Sequence, residues 1–141
     1  MTQEQAKYEV KSDAEGAYQF LTQFFPLERT EHMKGIVQER DGEIIAAALY
    51  VEFNGTNVFV HLAGKPGRKW LTRKFLHYGF HYPFEQLKCK RITCWVDANN
   101  WDSRNFVEHI GWKHEATLEG IGVNGVDVRI YKMLKEDCRY V

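Results

Sequence analysis

The stretch from Arg91 to Trp112, RITCWVDANNWDSRNFVEHIGW, constrains the fold more than any other part of the chain. Ile92, Cys94 and Val96 alternate with Thr93 and Trp95, which is the period and β-rich composition of a strand. Asn100 offers an N-cap, because its side-chain oxygen can accept from the bare backbone N–H groups of the next turn. Phe106, Val107 and Ile110 then recur at helical spacing, and Gly111 can take the left-handed conformation that ends a helix. The pattern predicts a strand, a tight Asn-rich corner, a three-turn helix and a further strand opening with Trp112. By itself it fits any ordinary β-loop-α unit equally well.

Upstream, residues 1–7 are polar and read as loose. Tyr8–Lys11 predicts a short first strand, and Ser12 or Asp13 caps a helix running through Phe25, with Ala17, Phe20, Leu21 and Phe24 on one face. Pro26 breaks it, and Leu27–Lys34 is a second helical segment ended by Gly35. Strands Ile36–Glu39 and Glu43–Phe53 flank Asp41-Gly42, a two-residue hairpin signal. Ala46, Ala47 and Ala48 leave the latter with small side chains, which suits close packing against a helix. Asn54-Gly55 makes another turn before a fourth strand, Val58–Leu62. The segment Gly64–Phe75 opens a central helix whose stripe is Leu71, Phe75, Tyr78 and Tyr82, with Pro83 as its far limit. Past the Asn100 helix, Trp112–Ile121 and Val126–Leu134 flank Asn124-Gly125, a third hairpin signal. The order β-α-α-β-β-β-α-β-α-β-β predicts an α/β domain: one mixed sheet of about seven strands with helices on both faces. No repeat, low-complexity segment or linker divides the 141 residues, so one domain is expected.

Composition removes several classes of function. Nineteen basic and nineteen acidic side chains cancel, so no global field draws nucleic acid or an anionic membrane. The one short basic cluster, Lys65, Arg68, Lys69, Arg73 and Lys74, is a poor basis for a nucleic-acid module. The longest apolar run, Ile44–Val51, is too short to cross a bilayer. Cys89, Cys94 and Cys138 form no C-x-x-C and leave one thiol over under any bridging scheme, which points to a reduced, cytoplasmic protein. His77 and His81 are four apart, yet no Glu of an H-E-x-x-H and no acidic or Cys cluster completes a shell, so no metal site is expected.

The string V-x-x-x-N-x-x-S-x-x-F-V-E-x-I-G-W, read at Val96, Asn100, Ser103, Phe106, Val107, Glu108, Ile110, Gly111 and Trp112, resembles the C-terminal half of the GCN5-related N-acetyltransferases (GNAT). The resemblance implies that strands four and five run parallel and splay apart around coenzyme A, with acetyl-CoA as donor and a primary amine of a protein or small molecule as acceptor. Many members carry a Tyr near the middle of this helix as general acid, and the matching position here is Val107. A Ser with an apolar residue in the Tyr slot is similar to the ribosomal-protein acetyltransferase branch, which passes the role to Ser103. The chain is also similar to GNAT-like proteins of tailed phages, some of them virion components. The expected location is therefore the cytoplasm, a host's cytoplasm or a virion.

The chemistry distributes over named residues. A strand feeding a helix through a Gly-containing loop collects unpaired N–H groups and the positive end of the helix dipole, as a pyrophosphate requires. Arg68 and Lys69, placed in the first turn, add charge-assisted contacts. The resemblance assigns the cofactor to Leu62, Ala63, Gly67, Arg68, Lys69 and Trp70, and at the second corner to Asn100, Ser103 and Phe106. The family's [QR]-x-x-G-x-[GA] is not fully matched in any register, and this departure motivates the alternative of a non-catalytic structural or interaction protein on the same fold. For acetyl transfer an amine must lose a proton, an oxyanion must be stabilised and a thiolate protonated. His61 and Glu52 are the base candidates, each with an ordinary strand residue as the competing reading. Ser103 is the acid candidate or a helix cap, and Tyr131 is the fallback donor. Asp97 could position an ammonium or cap the corner.

Overall fold

The computed structural model describes residues 7–141, so all but the last residue of the polar N-terminal segment lies outside it. The elements run β1 (Tyr8–Ser12), α1 (Ala14–Leu21), β2 (Lys34–Arg40), β3 (Glu43–Val51), β4 (Asn57–Gly64), α2 (Arg73–His81), β5 (Arg91–Asp97), α3 (Trp101–Ile110), β6 (Lys113–Leu118) and β7 (Val128–Leu134). One seven-stranded sheet has the order β1-β2-β3-β4-β5-β7-β6 and is antiparallel except where β4 meets β5. The α/β mixed sheet expected from the sequence is present.

The strand period of two sends alternate side chains to opposite faces, and each face has its own helices. On one face α1 lays Ala17, Phe20 and Leu21 against Val37, Ala47 and Leu49. On the other, Phe75 and Phe80 of α2 and Val107 and Ile110 of α3 pack on Ala46, Ala48, Tyr50, Ile92 and Met133. The small residues of β3 thus serve both layers. Gly35 lets α1 come closest: a Cβ there would lie 2.8 Å from the Ala17 methyl and 3.1 Å from the Ala48 carbonyl oxygen. Gly35→Val is expected to destabilise the fold by about 1–3 kcal/mol, as overpacking does. An unchanged urea midpoint would contradict this packing.

The local signals place most boundaries. Asp41 (φ 51°) and Gly42 (φ 87°) take the left-handed conformations that a type I′ hairpin demands. Asn54 turns the next corner by accepting from Thr56 and Asn57 N–H groups through its side-chain oxygen. Asn124 (φ 61°) and Gly125 (φ 77°) also turn left-handed, but β6 already ends at Leu118 and the connection to β7 is a longer loop.

Four expectations need correction. The first helix stops at Leu21 rather than Phe25, since Phe24 falls off the buried stripe and the Thr22 hydroxyl takes the Gln19 carbonyl. Leu27–Lys34 is not helical. Only Leu27 and Met33 have an apolar surface to rest on, the Leu27 carbonyl accepts from the Tyr18 hydroxyl (3.1 Å), and Lys34 already belongs to β2. The central helix begins at Arg73, where Thr72 caps the Phe75 N–H (3.1 Å), so Arg68 and Lys69 lie in the preceding loop. Its buried stripe is Phe75 and Phe80, with Tyr78 exposed. Pro83 does not stop the coil, which continues as a π-helical turn, Tyr82–Gln86, where Pro83 sits near the start and needs no N–H partner.

Candidate active site

β4 and β5 pair in parallel at only three positions, Asn57↔Arg91, Val58↔Ile92 and Phe59↔Thr93. The buried Thr93 stitches this closed end, donating to the Asn57 side-chain oxygen (2.7 Å) and accepting from Arg91 (3.1 Å). Beyond Phe59 and Thr93 the two strands separate, leaving a gap between Val60–Gly64 and Cys94–Asp97.

Backbone polarity inside the gap follows from the antiparallel partner. The Lys65 N–H reaches the Ile45 carbonyl (2.8 Å). Bonding alternates along such a ladder, so Ala63 and His61 point their N–H groups at β3, and Leu62 and Gly64 point theirs into the gap. Leu62 is therefore placed to polarise a carbonyl oxygen. Ala63 is not, because its N–H faces Ala47, and Gly64 takes its place.

Side chains divide between the two faces of the gap. Toward α2 and α3, Val60, Leu62, Leu71, Phe75, Ile92, Ile110 and Trp112 enclose an apolar cavity of about 30 Å³, room for a methyl group or one water. On the other face α1 covers β2 and β3 and leaves β5 open: Trp95 is 53% exposed. There Phe59 meets Trp95 edge to face at 6.1 Å, and Phe25 lies 6.2 Å from the His61 ring. Counting two residues on from the Phe59↔Thr93 pair sets His61 opposite Trp95 across the gap, both on this open face. Burial pushes the His61 pKa below its ordinary value, so the ring is neutral at pH 7 and able to take a proton.

The corner after β5 matches the sequence. The Asn100 side-chain oxygen accepts from the Ser103 N–H (3.1 Å), and Gly111 (φ 113°) ends α3 left-handed. Arg104 braces the bend by donating to the Ala98 carbonyl (2.8 Å). Because Asn100 is the cap, the Ser103 hydroxyl is not needed for capping. Ser103 is half-buried and shares the inward stripe of Phe106, Val107 and Ile110, at the end nearest the corner.

The loop after β4 departs most from expectation. Lys65 and Arg68 (2.9 Å) both pair with Glu43, and the Lys65 hydrogen bond, then the Arg68 charge, hold that carboxyl below its usual range. Lys69 is exposed. Gly67 (φ 75°) sits at the tip of the turn, where a Cβ would meet nothing, so its role is conformational. Trp70 lies flat over Gly64, whose Cβ would fall 2.1 Å from the indole, and its ring is 5.3 Å from Phe106. Trp70 thus caps the open end of the gap.

Two base and acid candidates lie elsewhere. Glu52 sits beyond the end of β3, exposed and left-handed (φ 59°), at the closed end of the β4–β5 pair rather than beside the gap. Tyr131 has no exposed surface and its hydroxyl accepts from Arg129 Nε (2.8 Å); it belongs to the core. His77 stands beside His81, ring centroids 5.3 Å apart, with its Nδ1 on the Tyr140 carbonyl. Among the described residues no three His, Cys, Asp or Glu side chains converge, and no helix is long and apolar enough to cross a membrane.

Sequence reasoning missed three features. Gln38, fully buried in β2, donates through its amide to the Trp70 carbonyl and accepts from the Thr72 hydroxyl (3.2 Å), pinning the loop and the start of α2. A Gln directly after Ile36 and Val37 in β2 was the available signal. Arg73 and Lys74 are the residues whose backbone N–H groups open α2, and their exposed side chains make no ion pair among the described residues. Trp95, the third, was visible only as one alternating strand residue.

No protein-family model and no curated protein sequence matches the chain. Solved structures do. A variant of the spermidine N-acetyltransferase SpeG from Vibrio cholerae superposes with a TM-score of 0.77 at 15% identity, over 95% of this chain and 96% of that one. The dodecameric form of the Vibrio cholerae spermidine N-acetyltransferase gives 0.75 at 16% identity, over 92% and 94%. The same bacterium's enzyme in complex with CoA and spermine gives 0.73 at 15% identity, over 92% and 96%. At such identity the likeness is one of fold alone.

Proposed function

We propose that this protein is an acetyl-CoA-dependent N-acetyltransferase acting on a primary amine. The observation that carries the reading is the β4–β5 gap: parallel pairing that stops after Phe59 and Thr93, with the Leu62 and Gly64 N–H groups turned into the opening. The structural neighbour that binds CoA and spermine supports both donor and acceptor class. The motif's likeness to the ribosomal-protein acetyltransferase branch supports Ser103 in place of a Tyr, and the chain's separate similarity to phage GNAT-like proteins supports a cytoplasmic or virion setting as the finer part of the proposal.

In this reading Arg73 and Lys74 hold the pyrophosphate, through two free N–H groups at the positive end of α2 and two cations that form no ion pair among the described residues. The bound thioester supplies an activated acyl carbon. His61 takes the proton from the acceptor ammonium, directly or through water, freeing the nitrogen lone pair. As the new N–C bond forms, Leu62 and Gly64 stabilise the carbonyl oxygen. As the C–S bond breaks, the nitrogen gives up its second proton to water, and Ser103 hydrogen-bonds the departing sulfur, which gains a proton from water and leaves as the free thiol.

Calorimetric titration with acetyl-CoA tests the proposal, with desulfo-CoA as the non-reactive control. Micromolar binding is expected. Arg73→Ala/Lys74→Ala should weaken it about tenfold, and Arg68→Ala/Lys69→Ala should have a smaller effect, since Arg68 is tied to Glu43 and both residues lie outside the first turn of α2. The reverse order of sensitivities would return the phosphate site to the loop. A second reading, a non-catalytic protein on this fold, draws on Trp70 lying over Gly64 at the end of the gap. Absence of acetyl-CoA binding to both the parent and Trp70→Ala would decide for it.

A further inference from the structure

We infer that the acceptor is a singly charged amine on an apolar body, recognised by Trp95, and not a polyamine. The inference rests on the acetyltransferase reading and names the substrate class of that site. Its first support is access. The α2 and α3 side of the gap is lined by apolar side chains around a small, partly open cavity of about 30 Å³. The opposite face, where no helix covers β5, gives an amine the more open approach to a thioester held between the strands.

That face has a defined chemistry. Trp95 is 53% exposed although it sits mid-strand beside the gap, and Phe59 fixes its ring edge to face at 6.1 Å. Its neighbour in the β7 register is Ile130, so the wall is apolar along and across the strands. His61, the proposed base, faces Trp95 across the gap. An exposed indole held by a second ring offers an apolar surface and a π-face for one ammonium.

Charge on the same face argues against a polycation. Glu115 is shared by Arg91 (3.0 Å) and Lys132 (3.2 Å), so that cluster carries more positive than negative charge. Asp97, two residues beyond Trp95 on the same face, is exposed and forms no ion pair among the described residues. One free carboxylate beside an aromatic wall matches one ammonium. A chain of several ammonium groups would meet Arg91 and Lys132 instead.

The full chain is titrated calorimetrically with tryptamine, with a short peptide amide whose first residue is Phe, and with spermine, each with and without desulfo-CoA. Tryptamine or the peptide should bind at least about tenfold more tightly than spermine, and which of the two is tighter identifies a small amine or a peptide α-amine as the source. Trp95→Ala should weaken that binding about tenfold, and Trp95→Phe should retain most of it. Trp95 is largely exposed, so its truncation should leave the thermal melt unchanged, which the same samples report. Spermine binding as tightly as the aromatic amines, or Trp95→Ala without effect, overturns the inference. Acetyl-CoA titration of the same samples is a separate readout. Loss of acetyl-CoA binding with intact amine binding would remove the acetyltransferase reading, and the converse would remove only the acceptor class.

Discussion

Changing His61 to Gln is expected to lower acetyl-transfer turnover by about 100-fold or more at pH 7, with acetyl-CoA affinity nearly unchanged. The side chain stands on the open face of the gap, opposite Trp95 and against Phe25, on the route proposed for the amine. Desolvation lowers its pKa from the ordinary 6.5, because burial penalises the imidazolium more than the neutral ring. Activity should therefore be full at neutral pH and fall on acidification, through a pKa below 6.5, and this acid limb should vanish in the Gln variant. Stability has the same sign. A histidine whose folded pKa is depressed contributes stability that is complete above its unfolded pKa and lost as the pH falls through the folded one. The Gln variant should accordingly lose less stability than the parent between neutral and mildly acidic pH. Turnover within threefold of the parent, with the acid limb retained, would reduce His61 to a wall residue.

Ser103→Ala should lower turnover by roughly 10- to 100-fold and leave acetyl-CoA affinity and the melting temperature close to the parent's. The structure separates this residue from the cap that the motif could equally have implied. Asn100 supplies the capping oxygen, so Asn100→Ala, not Ser103→Ala, should destabilise the protein by about 0.5–2 kcal/mol. The alternatives for a proton donor are both inside the core: Val107 is 7% exposed and carries no proton to give, and Tyr131 is fully buried with its hydroxyl engaged by Arg129. If Ser103→Ala lowers the melting temperature and spares turnover, Ser103 is structural after all.

The pair of variants also marks how far local sequence reaches. A cap, a left-handed glycine and an alternating strand are short-range events, each decided by residues within four positions of one another. For that reason the strand–corner–helix from Arg91 to Gly111 and the hairpin at Asp41-Gly42 were legible in full. The Leu27–Lys34 segment misled because helix propensity there has no sheet surface to face, and a propensity argument takes no account of a tyrosine hydroxyl that folding brings alongside. Here the Tyr18 hydroxyl claims the Leu27 carbonyl and β2 claims Lys34.

The same distinction separates what the residue order determined from what required the folded chain. The succession of strands and the identity of the capped corner follow from periodicity and turn chemistry, which act along the chain, and the parallel meeting of β4 and β5 was implied by the family resemblance. The working parts of the site depend on contacts across it. Glu43 ties up Lys65 and Arg68 from a strand more than twenty residues away, which favours Arg73 and Lys74 in the proposed phosphate site. Gln38 sets the loop from a similar distance, and register alone places His61 opposite Trp95. Charge pairing and register between distant segments are properties of the tertiary structure, because coulombic and hydrogen-bonding partners are chosen by proximity in space and leave no period in the sequence.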